Sequence, residues 1–113
     1  MTLFDKQTIF AENVQHLIWY IGSIGHRCTL GEVYRTKEQA EIYVKAGKGI
    51  LDSLHCKKLA IDINIFDNQG NYLTDIQSLE PFGKYWESLN KLNRWGGRFK
   101  ELPDADHFEM QDL

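Results

Sequence analysis

Two of the four histidines, together with nearby carboxylates, are of the residue types that can hold a catalytic metal ion. Ser53-Leu54-His55-Cys56-Lys57-Lys58-Leu59-Ala60-Ile61-Asp62 sets an imidazole just ahead of an alternating segment that ends in an acid. A second imidazole, His107, lies in Pro103-Asp104-Ala105-Asp106-His107-Phe108-Glu109. A catalytic zinc ion needs three protein ligands drawn from imidazoles and carboxylates, with one position left for water. Singly, each residue has a duller reading. An acid on the open face of a strand is more often solvated or ion-paired, and a histidine among apolar strand residues is more often a satisfied core side chain.

These residues must be positioned by regular elements, and several are legible. Leu59, Ile61, Ile63 and Ile65 alternate with Ala60, Asp62 and Asn64, so residues 58–66 read as a half-buried strand with Asp62 on its open face. His107-Phe108-Glu109-Met110 reads as a last strand. Glu109 would then share the face of His107, and Asp106 would face the other way. Asp104, behind Pro103 in a loop, is free to curl back toward the face of His107.

Ile9, Phe10, Val14, Leu17, Ile18 and Ile21 recur at helical spacing, which predicts a helix over 6–21 stopped by Gly22. Residues 26–34 suit a strand, with Gly31 as a candidate bulge. Thr36 and Gln39 form a capping-box pattern ahead of a helix over 37–46, which Gly47 stops, and residues 47–54 read as a loop. Asp67-Asn68-Gln69-Gly70 is a turn, with Asn71–Leu73 expected to return as the second strand of a hairpin. Pro81 is expected to open a further helix through Phe82, Tyr85, Trp86, Leu89 and Leu92. Trp95-Gly96-Gly97-Arg98-Phe99 reads as a tight turn into a short strand, with Trp86 and Trp95 in the core or, for Trp95 beside two glycines, alternatively lining the cleft. The order implies an α+β fold: a small antiparallel sheet with helices packed on one side, forming a single domain over 1–113 with a zinc cleft.

Bulk composition narrows the function. The 113 residues are 42% hydrophobic, 26% charged and 12% aromatic, which suits one ordinary globular domain. A net charge of −3 lacks the electrostatic footprint of a nucleic-acid binder. Val14 to Ile24 is too short and too interrupted to span a bilayer, so no stable membrane association is expected. Met1 to Phe10 lacks the basic start and apolar core of a signal peptide, so the product is expected to be cytoplasmic when made. Cys28 and Cys56 are read as free thiols, and no CxxC pair exists to build a cysteine zinc site.

Taken together, the segments resemble the zinc D-alanyl and L-alanyl-D-glutamate peptidases of the M15 group, which includes phage endolysins and the VanX and VanY enzymes. The resemblance rests on Ser53-Leu54-His55 with Asp62, on Asp104-Ala105-Asp106-His107, and on Tyr34-Arg35-Thr36, Trp95-Gly96-Gly97 and His107-Phe108-Glu109. It implies one zinc ion held by His55, Asp62 and His107. It further implies Asp104 as the acid-base residue and Arg35 as the group that steadies the developing oxyanion. Ser53 and Glu109 would support the ligands from behind. Lys58 departs from the glycine that many relatives carry, which puts the local turn geometry in question.

The implied substrate is a peptidoglycan stem peptide, cut at the L-alanyl-D-glutamate bond or, in the alternative, at a D-Ala-D-Ala terminus. The implied setting is a monomeric phage or prophage endolysin that causes host lysis, released to the cell wall by a holin. Two rivals differ in chemistry. Cys56 with His107 could form a cysteine peptidase, although Cys56 is not at a helix start, where the dipole lowers a thiol pKa. A non-catalytic, zinc-stabilised wall-binding module would need neither Asp104 nor Arg35.

Overall fold

The apolar stripe of Phe10, Leu17 and Ile21 is carried by a first helix, α1 (Leu3–Ser23), in a computed structural model that describes residues 1–50 and 52–113. The helix starts earlier than its apolar pattern implies. Thr2 accepts from the Asp5 amide at 3.1 Å and the Asp5 carboxylate accepts from the Thr2 amide at 3.0 Å, a complete capping box. It also runs through Gly22, and the chain reverses at Gly25, whose φ of +83° suits a residue without a Cβ.

Strand β1 (Arg27–Leu30) is shorter than the predicted 26–34. After it, α2 (Lys37–Lys45) is capped by the Thr36 hydroxyl, which accepts from the Gln39 amide at 3.1 Å. The predicted loop over 47–54 includes Leu51, which lies outside the described residues. A single turn of 3-10 helix (Leu54–Lys57) then leads into β2 (Ala60–Phe66). Leu59, Ile61, Ile63 and Ile65 are all buried, as their alternation implies, and Ala60 is buried as well.

Three expectations need correction. The return strand at Asn71–Leu73 is reduced to one bridge, Phe66 with Tyr72, and a bond from the Leu73 amide to the Ile65 carbonyl. Helix α3 (Ile76–Leu89) begins at an Asp75 cap rather than at Pro81, which sits in its second turn. The buried stripe of Leu79, Phe82 and Trp86 continues across that proline, so tertiary packing overrides local propensity. Finally, β3 (Asn93–Trp95) precedes the glycine pair, and Gly96–Arg98 form a second 3-10 turn rather than an entry to a strand.

The last strand, β4 (His107–Met110), completes an antiparallel sheet in the order β1-β2-β4-β3. One face of this sheet packs on α1 and α3, around Leu17, Ile63, Phe82, Trp86 and Phe108. Each large apolar side chain so buried contributes roughly 1.5–3 kcal/mol. The fold is therefore a small α+β domain with one sheet face closed. The other face carries Asp62, His107 and Glu109. No helix among the described residues is long and apolar enough to cross a membrane, and Cys28 and Cys56 are both free.

Candidate metal site

Asp62 and His107 are direct partners in the β2–β4 ladder, so their side chains stand side by side on the open face. The chain before β2 is shaped around the same acid. Gly31 donates to the Asp62 carbonyl at 2.7 Å, while the Asp62 amide donates to the carbonyl of Glu32 at 2.9 Å. Two residues thus oppose one, the arrangement of the expected bulge, which turns residues 31–34 off the sheet. A Cβ at Gly31 would lie 3.1 Å from Asp62 Cβ, which accounts for a glycine at this crossing.

The 3-10 turn brings the third member. Ser53 caps it by accepting from the His55 amide at 3.2 Å, and the His55 carbonyl accepts from the Arg35 amide at 3.1 Å. Lys58 ends the turn with φ 58° and ψ 38°, the left-handed conformation that glycine adopts most readily. The turn geometry expected of a glycine is therefore kept, by a residue less suited to it.

His55 Nε2 lies 3.5 Å from Asp62 Oδ1, and His107 Nδ1 lies 3.3 Å from the same oxygen. One ligand atom from each of the three residues falls within 4.8 Å of the others. Tetrahedral zinc with bonds near 2.1 Å places neighbouring ligand atoms about 3.4 Å apart, so the spacing fits such an ion. The far side of each ring supports the fit. His55 Nδ1 donates to the Val33 carbonyl at 3.1 Å, and His107 Nε2 donates to Glu109 Oε1 at 2.7 Å. Neither acceptor can supply a proton, so each ring turns its other nitrogen toward Asp62. Glu109 is itself buried and bonded by the Arg94 guanidinium, its partner across β3–β4.

The charges agree. Burial opposes ionisation of Asp62, but its bonds to His107 and His55 hold it well below the usual carboxylate range. Burial likewise opposes a charged His107, yet hydrogen bonds to Asp62 and Glu109 outweigh it and raise that ring to about 9. Glu109 is lowered despite its burial, by His107 and Arg94. Two ionised carboxylates therefore flank one imidazole in a partly buried setting, which favours a cation at the centre.

A cleft of about 360 Å³ opens over these residues, lined also by Arg35, Arg94, Phe99 and Asp104. Arg35 bonds Glu32 through Nε and Nη2 and lies over the Tyr43 ring at 4.9 Å. Gly49, at φ +67°, leaves room beside Arg35 Nη1. The loop bearing Asp104 is fixed to the glycine pair. Its amide donates to the Gly96 carbonyl at 2.9 Å, and a Cβ at Gly96 would sit 2.2 Å from the Asp104 carbonyl oxygen. Trp95 is core rather than cleft wall, wedged between Gly83 and Gly97, and its indole donates to the Ala105 carbonyl at 2.8 Å. Ser53 lines the cleft behind His55, whereas Cys56 is not among the lining residues.

Asp106 departs from the expected geometry. Alternation does not govern it, because β4 begins only at His107. Its carboxylate is taken by the Tyr72 hydroxyl, which also lies 3.4 Å from Asn64 Oδ1. Asp106 therefore sits at the edge of the open face, beside the site. Sequence reasoning missed Glu32, Tyr72, Arg94 and Phe99. An opposite-charge pairing of Arg94 with Glu109 was available as a signal only once the strand before Gly96 was placed correctly. A larger groove, about 710 Å³, lies between Tyr20 and Lys84, but it gathers no set of metal-ligating side chains among the described residues.

Comparison with known proteins agrees with this picture. No curated protein matches the chain. The structure of an L-Ala D-Glu endopeptidase, ChiX of Serratia marcescens, aligns with a TM-score of 0.64 at 21% identity, over 75% of this chain and 67% of that one. At that identity the likeness establishes the fold. An M15 family model described as D-alanyl-D-alanine carboxypeptidase matches residues 46–110, a span that contains His55, Asp62, Asp104 and His107 but not Arg35. A match over more than half of the chain, centred on the cleft, makes this protein a member of the M15 peptidase family.

Proposed function

We propose that the protein is a zinc-dependent peptidase that cuts peptidoglycan stem peptides at the L-alanyl-D-glutamate bond. The observation that carries this reading is the convergence of His55 Nε2, Asp62 Oδ1 and His107 Nδ1, each imidazole steadied from behind by an acceptor. When bound, the ion supplies a Lewis acid for the scissile carbonyl and brings the pKa of water there to about 7. Asp104, held on its loop in the same cleft, takes the proton of the attacking water and returns it to the leaving amine. Glu32 and Tyr43 hold the Arg35 guanidinium, whose planar fork of donors can stabilise the developing oxyanion.

The choice of bond is supported by the likeness to the Serratia endopeptidase, and a phage or prophage endolysin setting rests on the resemblance of the sequence motifs alone. The description of the family model favours a second reading, release of a terminal D-alanine. A non-catalytic wall-binding module is disfavoured, because it would need neither Asp104 nor Arg35 in the cleft. Mass spectrometry of purified peptidoglycan after digestion separates them. The first reading expects new N-terminal D-glutamyl peptides, and the second expects free D-alanine. Activity that survives removal of metal by a chelator would overturn both.

A further inference from the structure

The loop that precedes β4 carries two carboxylates next to a metal-binding histidine, and the structure treats them differently. Asp104 lines the cleft, while Asp106 is engaged by a tyrosine from another part of the chain. The backbone of Asp106 is anchored beside β2, since its carbonyl accepts from the Ile63 amide at 2.8 Å. Its side chain lies near Asn64, the next open-face residue after Asp62. Asp106 is thus rooted one residue from His107 and within one open-face position of Asp62. An unrestrained carboxylate in that position is a ready ligand for a divalent cation, and a fourth protein ligand would convert an open catalytic site into a closed structural one.

Tyr72 is delivered to this point by a hydrogen-bonded turn. Asp67 accepts from the amides of Gln69 and Asn71, both at 2.9 Å, and Gly70 takes a φ of +85°. Beyond the turn, Tyr72 bridges to Phe66 with ring centroids 5.2 Å apart, and Leu73 is bonded to Ile65.

We propose that Tyr72 is a positioning residue whose hydroxyl holds the Asp106 carboxylate at the edge of the site and so keeps one coordination position of the metal open. The proposal rests on the zinc reading above. It explains why a tyrosine that is half exposed spends its hydroxyl on a carboxylate of the β4 loop, and why only one of two neighbouring acids lines the cleft.

The test compares the unmodified protein with Tyr72→Phe, Asp106→Asn and the double variant. Tyr72→Phe keeps the ring and its contact with Phe66, so folding is retained. Each is titrated with cobalt(II) against a chelator, its visible absorption recorded, and its kcat and KM measured. Tyr72→Phe is expected to bind cobalt about tenfold more tightly, change the absorption and lose about tenfold in kcat with little change in KM, a hydrogen bond to a charged group being of that size. Asp106→Asn alone should behave like the unmodified protein, and the double variant should recover kcat, affinity and spectrum. A Tyr72→Phe protein with unaltered affinity and spectrum overturns the proposal. So does a double variant as slow as Tyr72→Phe, since the hydroxyl would then act directly on substrate. An unmodified protein that binds no metal would defeat the zinc reading itself, and the cobalt titration of that protein alone reveals it.

Discussion

His107 Nε2 and Glu109 Oε1 stand 2.7 Å apart on one face of β4, and Arg94 holds the glutamate from the neighbouring strand. The buried carboxylate sets the orientation of the ring and raises its basicity toward a cation. Glu109→Gln keeps an acceptor but removes the charge. Metal affinity is expected to fall by roughly 10–100-fold, as for other groups that brace ligand imidazoles. Competition with a chromophoric chelator measures this directly.

The same environment fixes a pH dependence. In the metal-free protein His107 titrates at about 9 rather than 6.5, so its charged form stabilises the fold. That stabilisation is complete below pH 6.5 and is lost as pH rises through 9. Urea denaturation of the metal-free protein should therefore give lower stability at about pH 9.5 than at about pH 6.5. Metal binding must displace this proton, so apparent affinity should rise about tenfold per pH unit over the same range, levelling near pH 9. Proton release measured by calorimetry in buffers of different ionisation enthalpy checks the count.

Asp104 lies in the cleft but is not one of the three converging side chains that could hold a metal. Asp104→Ala is expected to lower kcat by about 10²–10⁴-fold, the usual size of general acid-base assistance. Zinc content by atomic absorption should stay at one per chain. Loss of the metal together with the activity would instead make Asp104 part of the metal-binding set.

Lys58 occupies the left-handed region at φ 58°, and its ammonium lies 5.4 Å from the centre of the Tyr34 ring. A non-glycine residue there is strained by roughly 1–2 kcal/mol. Part of that is offset by the greater freedom of glycine in the unfolded chain. Lys58→Gly is expected to stabilise the protein by about 0.5–1 kcal/mol, read as a higher denaturation midpoint with an unchanged slope.

Local pattern is a good guide wherever an element is long or strongly periodic. The stripes of α1 and β2 stand out in the bare spacing of Leu17, Ile21, Ile61 and Ile63 along the chain. It fails where an element is short or is held by distant partners. A three-residue strand, Asn93–Trp95, has no room to show alternation, so the neighbouring glycine pair draws the expected boundary to the wrong side. Pro81 looks like a helix start because its local effect is strong, but the packing of Leu79 and Phe82 carries α3 across it.

For the site, residue types make His55, Asp62, Asp104 and His107 candidates, and it is the resemblance to the M15 motifs that singles them out as a set. The sequence by itself thus determined which groups are available for chemistry and that Asp62 stands opposite a core face. Only the tertiary structure decided that Asp62 pairs with His107, 45 residues away, that Arg94 holds Glu109 beside the ring, and that Tyr72 takes Asp106. The reason is physical. A strand's own alternation sets which face each side chain takes, but register between strands is set by how their buried faces pack together. Phe108, wholly buried opposite Ile61, aligns β4 so that His107 meets Asp62.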